Sequence, residues 1–396
     1  MYDDTSLQIL EYHRSMLEDR GRTGSFLKAI MKTVKPGDIV LDLGCGTGVL
    51  SYFACAAGAR QVYAVEQGPI IELAKSICQQ NGFQERVVFI NDWSTHIDLP
   101  EPVDVIISET IGNLGFEEGI LGWVIDAKKR FLAPDGQIIP QSIEMVMAPT
   151  ENPEYHQAAN IWNQEQYSLD FSPARALATN NLHWAELIPD LFLSEPASLI
   201  KIELDKVENT EFCGATTFLV QRDGWFPGFG GWFSAELDRG LSITNAPPNQ
   251  VPSWNQVFFP IEHPLRVMAG DHLCLEVSVR DNAEHWEWQV VVEPSSNGST
   301  HSQANSRFFG NSISGKLGLP VPPQSPDHKP ARTQEAEVDL LILSLMDGST
   351  TLCEIADEAA ARFPAYFSSY ERALTYATHV SEDYARWTYP ERSRNP

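Results

Sequence analysis

Between Asp38 and about Met147, short apolar runs that are typical of strands alternate with runs of helical spacing. Helical spacing occurs near 47–58, 69–80 and 117–132, and the strand-like runs are DIVLDLG, QVYAVE, VVFIND, VDVIISE and QIIPQSIEMVMA. This alternation predicts a doubly wound α/β domain, because crossover helices connect parallel strands. It also limits where ligands bind, since open α/β sheets hold them beyond the carboxyl ends of their strands.

The rest of the chain changes character three times. Residues 1–36 have helical spacing, strand-like runs separated by turn residues fill about 190–296, and helical spacing returns at 335–389. The β-rich stretch indicates a sandwich or barrel, and the five prolines of PVPPQSPDHKP at 320–330 indicate a stiff linker. We therefore predict, in order, a helical segment (1–36), an α/β domain (37–148), a β-barrel or sandwich domain (149–310), a proline-rich linker (311–334) and a helical C-terminal domain (335–396).

Composition limits the kinds of binding partner and the cellular compartment that we expect. The 53 acidic and 28 basic residues give a formal net charge of −25, which disfavours a nucleic-acid partner and favours cationic or neutral partners. Six cysteines occur without a CxxC pair, so the sequence indicates neither a metal site nor a secreted disulfide framework. The N-terminus lacks an apolar signal core and no run approaches the roughly 18 apolar residues of a membrane span. We expect a cytoplasmic protein without membrane contact.

The first chemical motif is VLDLGCGTGVL at 40–50, with glycines at 44, 46 and 48 between an apolar strand and a helix. Without a Cβ, Gly44, Gly46 and Gly48 let a ligand approach the backbone. A nicotinamide-binding fingerprint would place its third glycine at position 49, which is valine. The spacing instead suits S-adenosylmethionine, which has no pyrophosphate. A tight strand-to-helix turn without a ligand stays open as the alternative.

Carboxylates close the next two strands. Glu66 ends VYAVE, 22 residues after Gly44, where a carboxylate can accept hydrogen bonds from both ribose hydroxyls of a nucleoside. Asp92 and Trp93 close the third strand, where they are placed to contact adenine. An aspartate is also common in turns, so Asp92 has a second, purely structural interpretation.

The fourth strand ends in SETIGNLGFEE at 108–118, in which Glu109 and Glu118 bracket a loop that contains Gly112 and Gly115. Two carboxylates at the carboxyl end of a strand indicate a site for a cationic group. The alternative is that Glu118 only stabilises the start of the following helix, where acidic residues are frequent.

Three segments together closely resemble the catalytic core of the protein arginine methyltransferases, a family with a Rossmann-like methyltransferase domain. They are VLDLGCGTGVLSYFACAAGARQVYAVE, SETIGNLGFEE and RFLAPDGQIIPQ. In that family the two glutamates of the "double-E" loop hold the guanidinium of the substrate arginine. The resemblance assigns this role to Glu109 and Glu118 and implies S-adenosyl-L-methionine as the cofactor.

The resemblance extends to both sides of the core. HRSMLEDRGRT resembles the family's helical lid and would place Arg22 on the cofactor carboxylate and Asp19 beside the active site as a catalytic residue. Asp42 joins the implied cofactor-binding residues, and Trp254 the substrate-binding ones. YHQAANIWNQEQYSLDFSPA resembles the start of the dimerisation arm, at about 155–190, and implies a homodimer. GWFSAEL and SWNQVFFPIEHPLRVMAGDHL resemble the family's β-barrel.

The sequence departs from the family pattern at four places. The family's Thr-His-Trp loop is Pro-Ser-Trp here, so Ser253 replaces the histidine expected to pair with Asp19. The first helix offers only Tyr12 as an aromatic, and Thr110 and Asn113 replace bulkier residues of the double-E loop. Because the histidine is absent, removal of the proton from the acceptor needs a different route.

The chemistry of the acceptor agrees with two carboxylates. Guanidinium is planar, its forked donors match carboxylates, and its charge needs compensation where water is excluded. We expect an S-adenosylmethionine-dependent methyltransferase that acts on an arginine of a peptide or protein by an SN2 displacement driven by positioning and electrostatics. Two alternatives stay open: a methyltransferase acting on another nitrogen or a hydroxyl, and an inactive peptide-binding scaffold.

The tail has a second, fainter resemblance, to the helical part of peptide-binding domains related to the PqqD chaperone. Leu341, Leu345, Ile355, Ala359 and Phe363 have near-helical spacing, with an Asp-Gly turn at 347–348 and threonines at 350 and 351 as possible N-caps. The resemblance implies a peptide-recognition role for this segment. A plain helical extension that packs on the β domain is the alternative.

Overall fold

The structure is a computed structural model that describes residues 4–152, 154–155, 161–163, 167–179, 181–248, 253–295, 305–311 and 331–384. The chain forms two compact units, Met1–Pro320 and Val321–Pro396. The proline-rich stretch at 320–330 and most of the predicted linker lie outside the described residues.

Two helices open the described chain, α1 (Asp4–Glu18) and α2 (Arg20–Thr33). Asp19 lies between them and caps α2, because one of its side-chain oxygens accepts a hydrogen bond from the backbone N–H of Arg22 at 2.9 Å. Helices thus occupy the segment that was predicted to be helical, and Asp19 has a structural role where they meet.

A parallel sheet forms the α/β domain. Its strands are β1 (Ile39–Leu43), β2 (Gln61–Val65), β3 (Val87–Ile90), β4 (Val103–Ser108) and β5 (Leu132–Ile139). Helices α3 (Val49–Ala57), α4 (Ile70–Gln80) and α5 (Ile120–Phe131) follow β1, β2 and β4. The sheet order is β3-β2-β1-β4-β5, so the direction of chain progression reverses between β1 and β4. Ligands of doubly wound sheets bind at this switch point.

Antiparallel strands build the second part of the first unit. They are β6 (Ser142–Thr150), β7 (His183–Ala185), β8 (Ala197–Glu203), β9 (Phe212–Leu219), β10 (Gly224–Asp238), β11 (Leu241–Thr244), β12 (Gln256–Val267), β13 (His272–Arg280), β14 (His285–Glu293) and β15 (Asn305–Asn311). One sheet has the order β7-β12-β10-β6-β8, with β11 beside β10, and the other has the order β15-β14-β13-β9. Since β6 belongs to the first of these sheets, the antiparallel part begins before position 148.

Aromatic side chains pack the two antiparallel sheets against each other. Phe259 of β12 lies edge-on to Trp286 and Trp288 of β14, with ring centroids 6.3 and 5.4 Å apart. Phe218 of β9 and Phe229 of β10 are 5.4 Å apart. All five side chains are at most 2% exposed. The second domain is therefore of the sandwich type, within the predicted fold class.

The predicted arm at about 155–190 is described in part. Its described pieces include a 3₁₀ turn at Ile161–Asn163, helix α6 (Pro173–Thr179) and β7, which pairs with β12.

The second unit contains three described helices, α7 (Gln334–Leu345), α8 (Leu352–Arg362) and α9 (Tyr370–Tyr384). They share a hydrophobic core of their own, built from residues of all three helices. Thr351 is the N-cap of α8 in a reciprocal capping box with Glu354, at one of the two predicted positions. Within the described part of the chain, no helix is long and apolar enough to cross a membrane.

Candidate active site

A cavity of about 570 Å³ opens at the carboxyl ends of the parallel strands. Helices α1 and α2, the loops after β1 to β4 and the segment before β12 all contribute to its wall. Nine of the twelve predicted site residues line it: Arg22, Gly44, Gly46, Glu66, Asp92, Trp93, Glu109, Glu118 and Trp254. Asp19, Asp42 and Gly48 are buried and do not belong to this lining among the described residues.

The glycine loop needs glycine for two different reasons. Gly44, Gly46 and Gly48 all have a left-handed backbone, with φ of 71°, 53° and 83°. A Cβ on Gly46 would lie 2.8 Å from the His13 ring, on the cavity side of the loop. A Cβ on Gly48 would instead lie 2.5 Å from the hydroxyl of Tyr52. Gly48 thus serves the turn into α3, whereas Gly44 and Gly46 form the surface of the cavity.

Glu66 joins the glycine loop to the second strand. One carboxylate oxygen accepts a hydrogen bond from the Gly46 N–H at 3.1 Å, and the other accepts one from the Gly68 N–H at 2.7 Å. The carboxylate therefore lies across the loop, where a sugar hydroxyl above Gly46 would be within its reach.

Asp42 lies beneath the same loop at the end of β1. Its side chain is fully buried, and one oxygen accepts a hydrogen bond from the Ser51 hydroxyl at 2.6 Å. The other oxygen has no hydrogen-bond partner among the described residues. Burial raises the pKa of Asp42 to about 6, against the effect of the Ser51 hydrogen bonds. Since Asp42 is fully buried and is not among the described residues that line the cavity, it supports the glycine loop from beneath.

Arg22 and Glu109 form an ion pair inside the cavity, and their side chains are only 10% and 8% exposed. The guanidinium also donates to the Met16 carbonyl at 3.3 Å and lies 5.6 Å from the centre of the Trp254 ring. Burial lowers the pKa of Arg22 to about 10, so the side chain remains charged at neutral pH. The wall around Glu109 thus accommodates a guanidinium held by charge and by an aromatic face.

Asp19 and Ser253 each keep one polar atom without a partner. The second carboxylate oxygen of Asp19 and the Ser253 hydroxyl are buried and form no hydrogen bond within the described residues. Ser253 lines the cavity, whereas Asp19 is used as the cap of α2.

The double-E loop is organised by a carboxylate that the sequence analysis did not single out. Glu117 accepts hydrogen bonds from the Leu114 N–H at 2.8 and 3.0 Å and from the Phe116 N–H at 3.2 Å. A Cβ on Gly112 would overlap the Glu117 carboxylate, so a side chain here would displace that carboxylate from its hydrogen bonds. Burial raises the pKa of Glu117 to about 7. The neighbouring carboxyl of Glu118 also has a raised pKa, because of desolvation, and Arg22 lowers it.

Residues of the antiparallel part hold the loop from outside. The Asn245 side-chain amide donates to the Asn113 carbonyl at 2.9 Å, and the backbone N–H of Asn255 donates to the Asn113 side chain at 2.7 Å. The Trp254 indole donates to the Ile111 carbonyl at 2.8 Å. Asn113, one of the departures from the family pattern, is therefore an anchor of this loop.

Trp93 and Trp123 form a stacked pair in the cavity wall, with ring centroids 5.6 Å apart and planes 29° apart. The Trp123 indole donates to the Glu118 carbonyl at 3.1 Å, which connects this aromatic wall to the acceptor loop. Trp123 was not predicted as a site residue. Its position in the first turn of the helix that follows Glu118 could have indicated it. Tyr12 and His13 of α1 also line the cavity.

Comparisons with known proteins agree with this geometry. The family model of the arginine methyltransferase oligomerization subdomain matches residues 141–291, and that of ribosomal protein L11 methyltransferase matches residues 21–145. The probable protein arginine N-methyltransferase 6 of Arabidopsis thaliana is 31% identical over 303 residues, covering 70% of this chain and 67% of that protein. Protein arginine N-methyltransferase 1 of Schizosaccharomyces pombe is 32% identical over 275 residues, covering 66% of this chain and 79% of that protein.

The chain belongs to the protein arginine N-methyltransferase family. A similar solved structure is the Trypanosoma brucei PRMT1 enzyme-prozyme heterotetrameric complex with AdoHcy. Its TM-score is 0.70 at 25% identity, and the alignment covers 76% of this chain and 98% of that one. Family membership confirms the predicted fold class, the cofactor S-adenosyl-L-methionine and the enzyme class, an S-adenosylmethionine-dependent arginine methyltransferase. The chain also carries the oligomerization subdomain of the arginine methyltransferases.

The residues around the glycine loop fit the methyltransferase cofactor. Gly44 and Gly46 line the cavity without side chains of their own, and the Glu66 carboxylate lies beside them. Arg22 has a buried Nε that forms no hydrogen bond to the described residues and can serve a carboxylate.

Proposed function

We propose that this arginine methyltransferase acts on an arginine within a peptide or protein, and that Glu109 and Glu118 hold the acceptor guanidinium. The supporting observation is that both carboxylates face one cavity in which Glu109 already pairs with a guanidinium, that of Arg22. The net charge of −25 also favours a cationic substrate over an anionic one.

The two carboxylates have complementary tasks in this proposal. Glu109 and Glu118 neutralise the guanidinium and orient one terminal nitrogen toward the glycine loop, which is the part of the reaction that positioning controls. S-adenosylmethionine supplies an electrophilic methyl group when bound there. Glu109 and Glu118 would hold that nitrogen in line with the methyl group, so that the C–N bond could form as the C–S bond breaks and its electron pair stays on sulfur. Drawing positive charge toward the other nitrogens leaves the reacting nitrogen more nucleophilic.

The nitrogen that gains a methyl group must lose a proton. Ser253 occupies the position of the family histidine and has no basic group, and Asp19 lies behind the cavity wall as a helix cap. Glu118 is a carboxylate inside the cavity whose pKa is raised by desolvation, which makes it a better proton acceptor than an ordinary carboxylate. We assign the proton to Glu118.

Cofactor binding is assigned to the glycine-loop side of the cavity. Gly44 and Gly46 contact the cofactor, Glu66 accepts from the ribose, and Asp92 and Trp93 lie at the adenine end, with Trp123 extending the aromatic wall. Arg22 binds the cofactor carboxylate, while Asp42 and Gly48 support the loop from below. Trp254 supports the acceptor loop and forms one face of the substrate site.

We infer that the protein assembles as a homodimer through the predicted arm. Large apolar side chains are exposed on the described part of the arm, with Leu169 59% and Ile161 47% exposed. Apolar groups that cluster on one segment are typical of a protein interface.

We also propose that the protein is cytoplasmic. This is supported by its six cysteines, which are all free thiols.

Mass spectrometry of a peptide that contains one arginine tests the proposed reaction. Incubation with S-adenosylmethionine should add a methyl group to the arginine peptide and not to matched peptides with lysine or serine at that position. Glu109→Gln should bind the cofactor normally and leave the peptide unmodified. Methylation of the lysine peptide alone would overturn the assignment of the acceptor. If none of the peptides were methylated, a binding scaffold would be favoured.

A further inference from the structure

The helix that carries the acceptor loop has an unusual beginning. Helix α5 starts directly after Glu118, and its N-cap is Gly119, which has φ of 78° and no side chain with which to cap. The first N–H groups of a helix lack intrahelical partners and are normally satisfied by the side chain of the N-cap residue. The Gly119 carbonyl accepts the backbone N–H groups of Gly122 and Trp123 at 3.0 and 3.3 Å, but the turn has no side-chain cap of its own.

Asn282, in the turn between β13 and β14, adds the side-chain cap as a second acceptor for the Gly122 N–H. Its side-chain oxygen accepts a hydrogen bond from the Gly122 N–H at 3.1 Å, across 160 residues of sequence. Gly122 is the third residue of the helix, which is a position that an N-cap side chain normally serves. Asn282 thus caps the helix from the antiparallel domain.

Two glycines make room for this side chain. A Cβ on Gly119 would lie 2.7 Å from the Asn282 side-chain nitrogen, and a Cβ on Gly122 would lie 2.8 Å from the same atom. Both distances are too short for a real contact. Gly119 and Gly122 therefore form a notch that fits the Asn282 amide.

The turn that presents Asn282 is itself held in a costly conformation. Asp281, Asn282 and Ala283 all have left-handed φ values, of 50°, 52° and 69°. Such residues persist when the surrounding structure imposes the conformation, and they often occur at functional sites. Here the Ala283 carbonyl accepts the buried indole N–H of Trp286 at 2.9 Å, which fixes the turn to the core of the second domain.

We propose that Asn282 is a positioning residue that sets the place of Glu118 by capping α5 from the second domain. This inference rests on the proposed function, in which Glu118 holds the acceptor. Glu118 precedes the capped turn directly, and its carbonyl receives the indole of Trp123 in the same turn at 3.1 Å. A shift of this turn moves Glu118 and leaves the glycine loop in place.

Asn282→Gly is the most informative variant, because it removes the cap and at the same time relieves the left-handed strain. We expect kcat/KM for the arginine peptide to fall about 10-fold, since small displacements of positioning groups reduce rates strongly. The cofactor Kd and the melting temperature should stay near those of the unmodified protein. Asn282→Asp, which keeps an accepting oxygen, should restore most of the loss.

Asn209→Ala is the matched control. Asn209 also accepts from a backbone N–H in a turn of the second domain, that of Glu211 at 3.0 Å, and it has no role in the proposed site. This variant should keep normal kinetics.

A double-mutant cycle with Gly122→Ala isolates the contact. The added methyl group meets Asn282, so Gly122→Ala should lower kcat/KM in the unmodified protein and have little further effect in the Asn282→Gly background. Equal losses in both backgrounds would overturn the proposal, as would normal kinetics of Asn282→Gly or failure of Asn282→Asp to restore activity.

Hydrogen exchange separates this inference from the proposed function. Amide exchange in the first turn of α5 should be faster in Asn282→Gly, whatever the acceptor is. If the unmodified protein does not methylate arginine, the proposed function fails while the exchange experiment still decides whether Asn282 caps the helix. Unchanged exchange would overturn the proposal.

Discussion

The two ends of the cavity are held together in different ways. At the cofactor end, the hydrogen bond between Gly46 and Glu66 spans 20 residues and lies within the parallel-sheet domain. At the acceptor end, the bonds from Asn245 to Asn113 and from Gly122 to Asn282 span 132 and 160 residues. The cofactor end is thus built locally, whereas the acceptor end depends on the antiparallel domain.

This difference implies that substrate affinity and cofactor affinity can be changed independently. Substitutions in the glycine loop should mainly change the affinity for the cofactor. Substitutions in the antiparallel domain should mainly change the affinity for the substrate, because they act through the double-E loop.

Gly46→Val should abolish cofactor binding. Valine at φ 53° is strained, and its Cβ would lie 2.8 Å from the His13 ring. Isothermal calorimetry with S-adenosylmethionine measures the effect. Gly82→Val is the control, because Gly82 has a comparable φ of 74° but open space around its Cβ position. Normal affinity of Gly46→Val would show that this loop does not touch the cofactor.

Removal of the second unit should weaken the methylation of large substrates only. A chain that ends near position 330 loses the three-helix unit, which we expect to bind the substrate without taking part in the chemistry. Tethered binding raises local concentration, so KM for a full-length substrate should rise about 100-fold, while a short arginine peptide is turned over as before. Equal losses on both substrates would instead indicate that this unit supports the fold.

Asn113→Ala should weaken the acceptor end alone. The variant loses the bond from the Asn255 N–H to the Asn113 side chain, which leaves the double-E loop less firmly held. We expect about a 10-fold rise in KM for the arginine peptide with unchanged cofactor Kd. Asn81→Ala, in the parallel-sheet domain, serves as the control. A loss of cofactor affinity in Asn113→Ala would break the separation between the two ends.

Glu117→Gln should change the dependence of stability on pH. Burial raises the pKa of Glu117 from 4.5 to about 7, so between these values the folded protein holds a proton that the unfolded chain has lost. The stability contributed by Glu117 is therefore complete below about pH 4.5 and falls as pH rises to about 7. Glutamine does not titrate. Relative to the unmodified protein, the variant should gain at most about 3 kcal/mol in free energy of unfolding over this range.

Chemical denaturation at about pH 5 and pH 8 measures this difference. Asp42, whose raised pKa acts in the same direction, is present in both proteins and cancels. A difference that is the same at both pH values would show that Glu117 is ionised throughout.

Sequence predicted best what depends on neighbours along the chain. The alternation of strands and helices between 38 and 147 predicted the parallel sheet, and the ends of its first four strands provided candidate site residues, such as Glu66 and Glu109. Roles for these residues could be inferred because parallel strands bring their carboxyl ends to one edge.

What sequence did not predict depends on distant partners. Asn282 lies in a turn far from Glu118 along the chain, and only the packing of the two domains brings it to Gly122. Glu117 was overlooked beside Glu118, since nothing in the sequence shows that its carboxylate turns back onto Leu114 and Phe116. The capping role of Asp19 likewise becomes visible only at the junction of α1 and α2.

The most direct test of the account is a paired measurement on Glu118→Gln, with calorimetry of S-adenosylmethionine binding beside turnover of an arginine peptide. An amide keeps the shape of the side chain but loses the charge that opposes guanidinium, and breaking a buried charge pair typically costs about 3–5 kcal/mol. We predict an unchanged cofactor Kd and a loss of turnover of at least about 100-fold. Near-normal turnover, or loss of cofactor binding together with turnover, would contradict an acceptor site that is built separately from the cofactor site.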